Sequence, residues 1–470
     1  MPNIYISAAH KSSGKTTVSI GICSALTQNG IIVQPFKKGP DYIDPLWLSQ
    51  ATGRSCYNLD FFTTPKSEIL KNYQNQYSDS DIAIVEGNKG LFDGMDLHGT
   101  DSNAAMAKML NSPIVLVIDT SGMTRGVAPL VLGYQSFDEN LNIVGVILNK
   151  VGGSRHESKL ISVLQEYTNV PVVGSIWRND ALNIDERHLG LIPSNEQSES
   201  QNIILKISEI IKEQVDLDLF CELSGLDLSN SGCHSSTLLD SITIKKQTSN
   251  IKIGILKDAA FGFYYPDDLE IIKEAGVELI FIDALNDSQL PNIDGLFIGG
   301  GFPETHMVEL SSNTSFINSV YDFIESNGVV YAECGGLMYL ARSLTWDDKH
   351  CKMCGVIPAD VTMHEKPQGR GYIKLVETSQ MPWPEIDNVS DDHELSAHEF
   401  HYSRLENLPQ DSIFAYEVLR GTGIDGKHDG FVYKNLLANY AHMRNVGNNH
   451  WTERFLAKIK QVKQDTTEVI

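Results

Sequence analysis

Asn327-Gly-Val-Val-Tyr-Ala-Glu-Cys-Gly-Gly-Leu-Met-Tyr-Leu340 decides how the rest of the chain is read. Residues 329–332 make a short apolar strand, and Cys334 stands where that strand turns sharply into an apolar helix start. The two glycines after it, Gly335 and Gly336, allow backbone geometry that a side chain would forbid. A helix N-terminus presents free N–H groups, which favour a thiolate, so the pattern predicts an activated Cys334. Upstream, Asp294-Gly-Leu-Phe-Ile-Gly-Gly-Gly-Phe-Pro-Glu304 is a strand running into a glycine loop, whose Gly300 and Gly301 can offer N–H groups to an oxyanion. Downstream, Ala438-Asn-Tyr-Ala-His442 places a histidine at the end of a third apolar strand. A lone cysteine is more often a buried structural residue. The joint occurrence of thiol, glycine loop and distant histidine favours a nucleophile.

These segments resemble class I glutamine amidotransferases, and within them the cobyric-type branch found in corrinoid amide synthases. The resemblance implies that Cys334 attacks the glutamine side-chain amide, with Gly300, Gly301 and Gly335 around the oxyanion and the glutamine. It implies too that His442 raises the nucleophilicity of Cys334. Many class I members carry His-x-Glu, whereas this chain reads His442-Met443-Arg444. No third catalytic residue is assigned.

Near the start, strand 3–8 feeds Ala9-His-Lys-Ser-Ser-Gly-Lys-Thr16, a Walker A pattern with alanine in the first glycine position. Its chemistry needs Gly14 for close backbone approach, Lys15 to neutralise phosphates and Thr16 to hold Mg²⁺. A helix from Thr17 to about 29 turns its positive end toward the phosphates, so Ser13 and Thr17 join the expected ATP site. Strand 31–36 ends in Lys37-Lys-Gly-Pro-Asp-Tyr-Ile-Asp-Pro45. Lysines beside aspartates at a strand's carboxyl end suit an anionic ligand and a metal. Asp81-Ile-Ala-Ile-Val-Glu-Gly87 presents Glu86 at a strand tip, in the Walker B role of ordering Mg²⁺, and Asp93 follows in the next loop. Apolar runs at 113–119, 143–148 and 171–176 complete a parallel, doubly wound α/β pattern.

The segment at 37–45 resembles a signature of cobyrinate a,c-diamide synthases, whose amino-terminal half resembles dethiobiotin synthetase. That resemblance implies a metal site at Thr16, Asp41 and Glu86, and a substrate site at Lys37, Lys38, Tyr42, Asp44, Arg54 and Asp93. Asn149 is implied as a contact to the nucleotide base.

Composition bounds the alternatives. At 470 residues and 41% hydrophobic, the chain has length for several globular domains. A formal net charge of −23 argues against a nucleic-acid partner. No apolar run of membrane-spanning length and no signal peptide is read, and seven cysteines without framework spacing point to the reducing cytoplasm. Cys351-Lys-Met-Cys354 and Cys233-His234 lack partner ligands at metal-site spacing, and His393, His398 and His401 are read as strand residues rather than a metal site.

The expected organisation is α/β in two domains, each a mostly parallel sheet with helices on both faces. A P-loop, carboxylate-activating domain covers 1–222, a linker 223–250, a glutamine amidotransferase domain 251–450 and a tail 451–470. Together the halves specify ATP- and glutamine-dependent amidation of a carboxylic acid, with Mg²⁺ as cofactor. The resemblance implies cobyrinate as substrate, a tetrapyrrole polycarboxylate amidated at its a and c acetates. The alternatives are siroheme or sirohydrochlorin under the same chemistry, and a non-enzymatic P-loop ATPase. A homodimer in the cytoplasm is a further expectation.

Overall fold

The apolar run near the start forms strand β1 (Asn3–Ala8), and it is buried on both sides. Ile4, Ile6 and Ala8 enter one core layer, and Tyr5 enters the other. The same division holds in β4 (Ile82–Glu86) and β5 (Ile114–Asp119), numbered in chain order with β2 (Val33–Lys38) and β3 (Tyr57–Leu59). Side chains alternate across a strand, so a run apolar at every position needs cover on both faces, as in parallel α/β sheets. With β6 (Ile143–Val151) and β7 (Val172–Trp177) these strands make a seven-stranded parallel sheet in the order β3-β2-β4-β1-β5-β6-β7. The order reverses beside β1, and the carboxyl end of such a switch point is where open α/β sheets bind ligands. Helix α1 (Lys15–Gln28) starts there, two residues earlier than the sequence suggests. Its Gly21 lets helix Ser200–Gln214 approach closely, since a Cβ there would lie 2.3 Å from Ile211 Cγ1.

This sheet belongs to the first of two compact units, Met1–Ile242 and Thr243–Ile470, in the computed structural model. The structure describes residues 1–187, 190–196, 199–228, 250–386 and 394–468. Most of the expected linker, together with Cys233-His234 and His393, lies outside the described residues. The start of that linker is helical, because Leu217–Ser224 forms a helix closed by Gly225 in the left-handed conformation.

In the second unit the strands Glu278–Ile282, Lys252–Leu256, Gly295–Ile298, Val329–Glu333 and Leu436–Asn439 lie side by side and parallel. The sheet then continues antiparallel through His428–Tyr433, Ile413–Arg420, Gly369–Glu377 and Glu394–His401. It is thus a mixed sheet, parallel through the half that carries the cysteine. Helix Thr314–Glu325 buries Phe316, Val320 and Ile324 on one face.

The other face is covered partly by residues expected to be a tail. Trp451–Glu468 is a helix whose Trp451, Phe455, Leu456 and Ile459 enter the core beside Phe297 and Tyr331. Each such side chain contributes roughly 1.5–3 kcal/mol by burial. Gly295 admits the helix, because a Cβ there would lie 2.4 Å from Ile459 Cδ1. Among the described residues no helix is long and apolar enough to cross a membrane.

Candidate functional site

Cys334 carries the strain of the strand-to-helix turn itself, at φ 46° and ψ −99°. The glycines after it serve close approach. A Cβ on Gly336 would sit 2.3 Å from the Ile298 carbonyl oxygen, and one on Gly335 would sit 3.0 Å from the Gly301 nitrogen. Gly335 and the Gly301 amide of the glycine loop therefore share one corner. The loop is held by pairing of Gly300–Gly301 with Phe261–Phe263.

His442 reaches this corner along the neighbouring strand. Glu333 pairs in register with Asn439, and the Cys334 amide donates to the Asn439 carbonyl at 2.7 Å. Beyond Asn439, Asp429 accepts from the amides of Tyr440 and Ala441 at 2.9 Å each. The His442 amide then donates to the His398 carbonyl at 2.7 Å. Gly300 leaves room for the imidazole, since its Cβ would lie 2.5 Å from His442 Cε1. The three segments singled out in the sequence thus converge. Glu333, not among the site residues expected from sequence, has its Oε2 3.4 Å from His442 Nδ1, with both side chains 3% exposed. A carboxylate closing a strand of otherwise apolar residues was the available signal.

The thiol differs from expectation in its resting charge. Burial pushes the Cys334 thiol well up, Glu304 and Glu333 add to this, and the Gly335 amide lowers it. The following helix, Gly335–Leu340, has six residues, and its N-terminus does not outweigh desolvation. Burial thus favours the neutral thiol in the resting site.

At the first site, Ser12 and Gly14 adopt positive φ (65° and 84°), curling the loop ahead of Lys15, the first residue of α1. Ser13 is buried, with its hydroxyl donating to the His10 carbonyl at 2.8 Å, and Thr17 follows in the first turn of α1. Asn149 braces the loop, donating from Nδ2 to the Ser13 carbonyl at 2.8 Å and accepting from the Lys150 amide at 2.9 Å. These bonds place Asn149, the expected base contact, directly against the phosphate loop. Burial, then Lys37, lowers the Lys15 pKa. Thr16 Oγ1 donates to Glu86 Oε1 at 2.6 Å and to Asp44 Oδ2 at 3.2 Å.

Lys37 is buried among carboxylates rather than exposed at the strand tip. Strand β2 runs through Lys38, so the two lysines point to opposite faces. Lys37 Nζ donates to Asp44 and Glu86 and lies 3.9 Å from Asp41. Burial disfavours its charge, but Asp44, Glu86 and Asp41 prevail and hold its pKa well above the ordinary range. Burial and the adjacent Asp44 push Asp41 up to about 7. Burial acts against Asp44 too, yet Lys37 and Lys15 bring it below its usual value. Burial raises Glu86.

Lys38 donates to Asn88 Oδ1 at 3.4 Å and to the Asp101 carbonyl, fastening the loop after β4. Burial lowers its pKa. Asp93, in that loop, accepts from the Gly90 amide at 2.9 Å, and Tyr42 is buried just before helix Ile43–Thr52. Asn103, unremarked in the sequence, ties the loop together by donating to the carbonyls of Asn88 and Gly90. Arg54 stands apart. It donates to Gln34 at 2.8 Å, near the amino-terminal end of β2, and pairs with Asp79, at the strand end away from the phosphate loop.

Family models match both units. Residues 5–192 match the CobQ/CobB/MinD/ParA nucleotide binding domain, and 252–449 match the CobB/CobQ-like glutamine amidotransferase domain. A cobyrinate a,c-diamide synthase of Magnetococcus marinus is 42% identical over 97% of this chain and 97% of its own. Proteins of that name from Picrophilus torridus (40% identical, 97% and 98% covered) and Methanosarcina acetivorans (37%, 95% and 93%) extend the match. A chain alike over 97% of its length, with both units matched by family models, belongs to the cobyrinate a,c-diamide synthase family.

Proposed function

We propose that this protein catalyses ATP- and glutamine-dependent amidation of the a and c acetate carboxylates of cobyrinate. The observation that carries the reading is the pairing, on one chain, of the cysteine corner with the phosphate-loop cluster, matched across both units by relatives named for that reaction. In the first unit a substrate carboxylate oxygen takes the γ-phosphoryl group of ATP, releasing ADP and leaving an acyl phosphate. In the second, Cys334 attacks the glutamine carboxamide, ammonia departs, and water cleaves the resulting thioester to glutamate. Ammonia then displaces phosphate from the acyl phosphate, giving the amide.

The oxygens beside the phosphate loop fit Mg²⁺. Glu86 Oε2 is buried with no hydrogen-bond partner, and Thr16 supplies a hydroxyl next to it. Among the described residues no group of three or more His, Cys, Asp or Glu is arranged to hold a metal. Mg²⁺ does not need one, since it binds through one or two carboxylates plus phosphate oxygens and keeps several waters. When bound, it neutralises charge on the phosphates. The same reading places the enzyme in the cytoplasm as a homodimer, which sedimentation at equilibrium tests.

Cobyrinate, sirohydrochlorin and siroheme, each supplied with ATP and glutamine, give a direct test by product mass. Two carboxylates converted to amides on cobyrinate is the expected result. Amidation confined to either other macrocycle would leave the chemistry standing and reject the substrate.

A further inference from the structure

Resting on the glutaminase reading above, we infer that Glu333, the residue directly before the nucleophile, is the positioning carboxylate of His442 and completes a Cys334–His442–Glu333 triad. The place where a class I carboxylate would be expected, two residues after the histidine, holds Arg444. That guanidinium is committed elsewhere, donating to Asp267 at 2.8 Å and lying 5.0 Å from the Tyr265 ring. The carboxylate comes instead from the adjacent strand.

Its own position is tightly fixed. Glu333 Oε1 accepts from the Tyr331 hydroxyl at 2.6 Å and from the Met443 amide at 2.8 Å. The other oxygen, Oε2, is the one 3.4 Å from His442 Nδ1. An imidazole with a carboxylate at Nδ1 keeps its proton there, so Nε2 is left as the acceptor. The thiol proton then moves to Nε2 as Sγ bonds to the glutamine amide carbon and the carbonyl π pair becomes the oxyanion. When the oxyanion collapses, the C–N bond breaks and that proton leaves with ammonia. Glu333 exchanges no proton; its charge stabilises the imidazolium between the two transfers.

The other groups around the pair do not substitute for it. The His398 ring lies 6.2 Å from that of His442, and burial, then His442 and His401, holds its pKa down at about 3, so it stays neutral. Asp429 is engaged by the Tyr440, Ala441 and Gly430 amides. Glu304 acts on Cys334, raising its pKa.

The location makes a test with opposite signs. A negative charge beside a lone thiol resists its ionisation, so Glu333→Gln would make Cys334 alkylate faster and at lower pH if proximity were all. If Glu333 supports His442, the same variant alkylates more slowly, its pH midpoint about one unit higher. Glutaminase kcat then falls about a hundredfold or more, with KM within about threefold. The assay is iodoacetamide labelling of the Cys334 peptide by mass, run beside glutamine hydrolysis, with ammonia-dependent amidation reporting that the chain is folded.

Nitrogen-15 NMR of the wild-type full chain gives a second arm that needs no Glu333 variant. The His442 signal, identified by its loss in His442→Ala, should show the Nδ1–H tautomer. Faster labelling of Glu333→Gln, unchanged kcat, or an Nε2–H tautomer each overturns the inference. Absence of glutaminase activity in the wild type would instead overturn the reading on which it rests.

Discussion

Lys37 Nζ lies 2.9 Å from Glu86 Oε1, and both side chains are 1% exposed. An ammonium so placed neutralises part of a cluster in which Asp44 and Asp41 are the other carboxylates. Removing one partner of a buried pair leaves the rest uncompensated. Lys37→Met should therefore abolish amidation with either nitrogen donor and destabilise the nucleotide-free first unit by roughly 3–5 kcal/mol in urea denaturation. The same cluster gives stability a pH slope. Asp41 holds its proton up to about 7 when folded, whereas an unfolded aspartate releases it near 4. Folding takes up a proton between these values, so this group's contribution declines as pH rises through that window. Urea midpoints of wild type and Asp41→Asn from pH 4 to 8, without Mg²⁺, should diverge in that direction. Parallel curves would reject it.

Cys334→Ser should eliminate glutamine-dependent amidation and retain amidation at high ammonia. Two separable sites in two compact units motivate this expectation. Turnover with glutamine in the variant would show that Cys334 is not the nucleophile.

Lys38→Ala and Arg54→Ala should behave differently, although the sequence grouped them. Lys38 holds the loop at 88–101 through Asn88 and Asp101, so its loss should speed amide hydrogen exchange there and cost roughly 1.5–3 kcal/mol. Arg54 forms a partly exposed pair with Asp79, 28% and 69% exposed, near the amino-terminal end of the strand whose other end carries Lys38. Its loss should cost about 1 kcal/mol or less and leave the KM for the tetrapyrrole within about twofold. A large KM increase in Arg54→Ala would return it to the substrate site.

Trp451→Ala tests the terminal helix. The indole is buried, lies 4.7 Å from the Tyr331 ring and donates to Asp268 at 2.9 Å. A loss of roughly 3–5 kcal/mol in the second unit is expected, read from its thermal or denaturant transition. A neutral result would mean the helix does not pack on the sheet.

The legible parts were those whose partners are close in sequence. Strand, Gly14, Lys15, Thr16 and helix are consecutive, and so are strand, Cys334 and glycines. Lys37 and Lys38 looked like one cationic pair because the strand seemed to stop at Phe36; two more residues of strand put them on opposite faces. Arg54 carries no sign in the sequence of which end of the strands it occupies. Glu333 is not legible as a site residue because the partners that give it a role, His442 and Met443, sit far along the chain, Met443 being 110 positions away. Trp451, Phe455 and Ile459 follow one another at helical spacing, but nothing in that spacing shows which sheet face they cover.

The burial that disfavours the Cys334 thiolate has a consequence for how the enzyme ages. Peroxides and electrophiles consume thiolates, and a resting enzyme that holds few of them at its nucleophile is spared between turnovers. Cys351, partly exposed, meets such reagents more readily. Under hydrogen peroxide without glutamine, peptide masses should record oxidation at Cys351 before Cys334, with glutaminase activity outlasting the first event. The elbow that makes the nucleophile also works as its oxidative shelter.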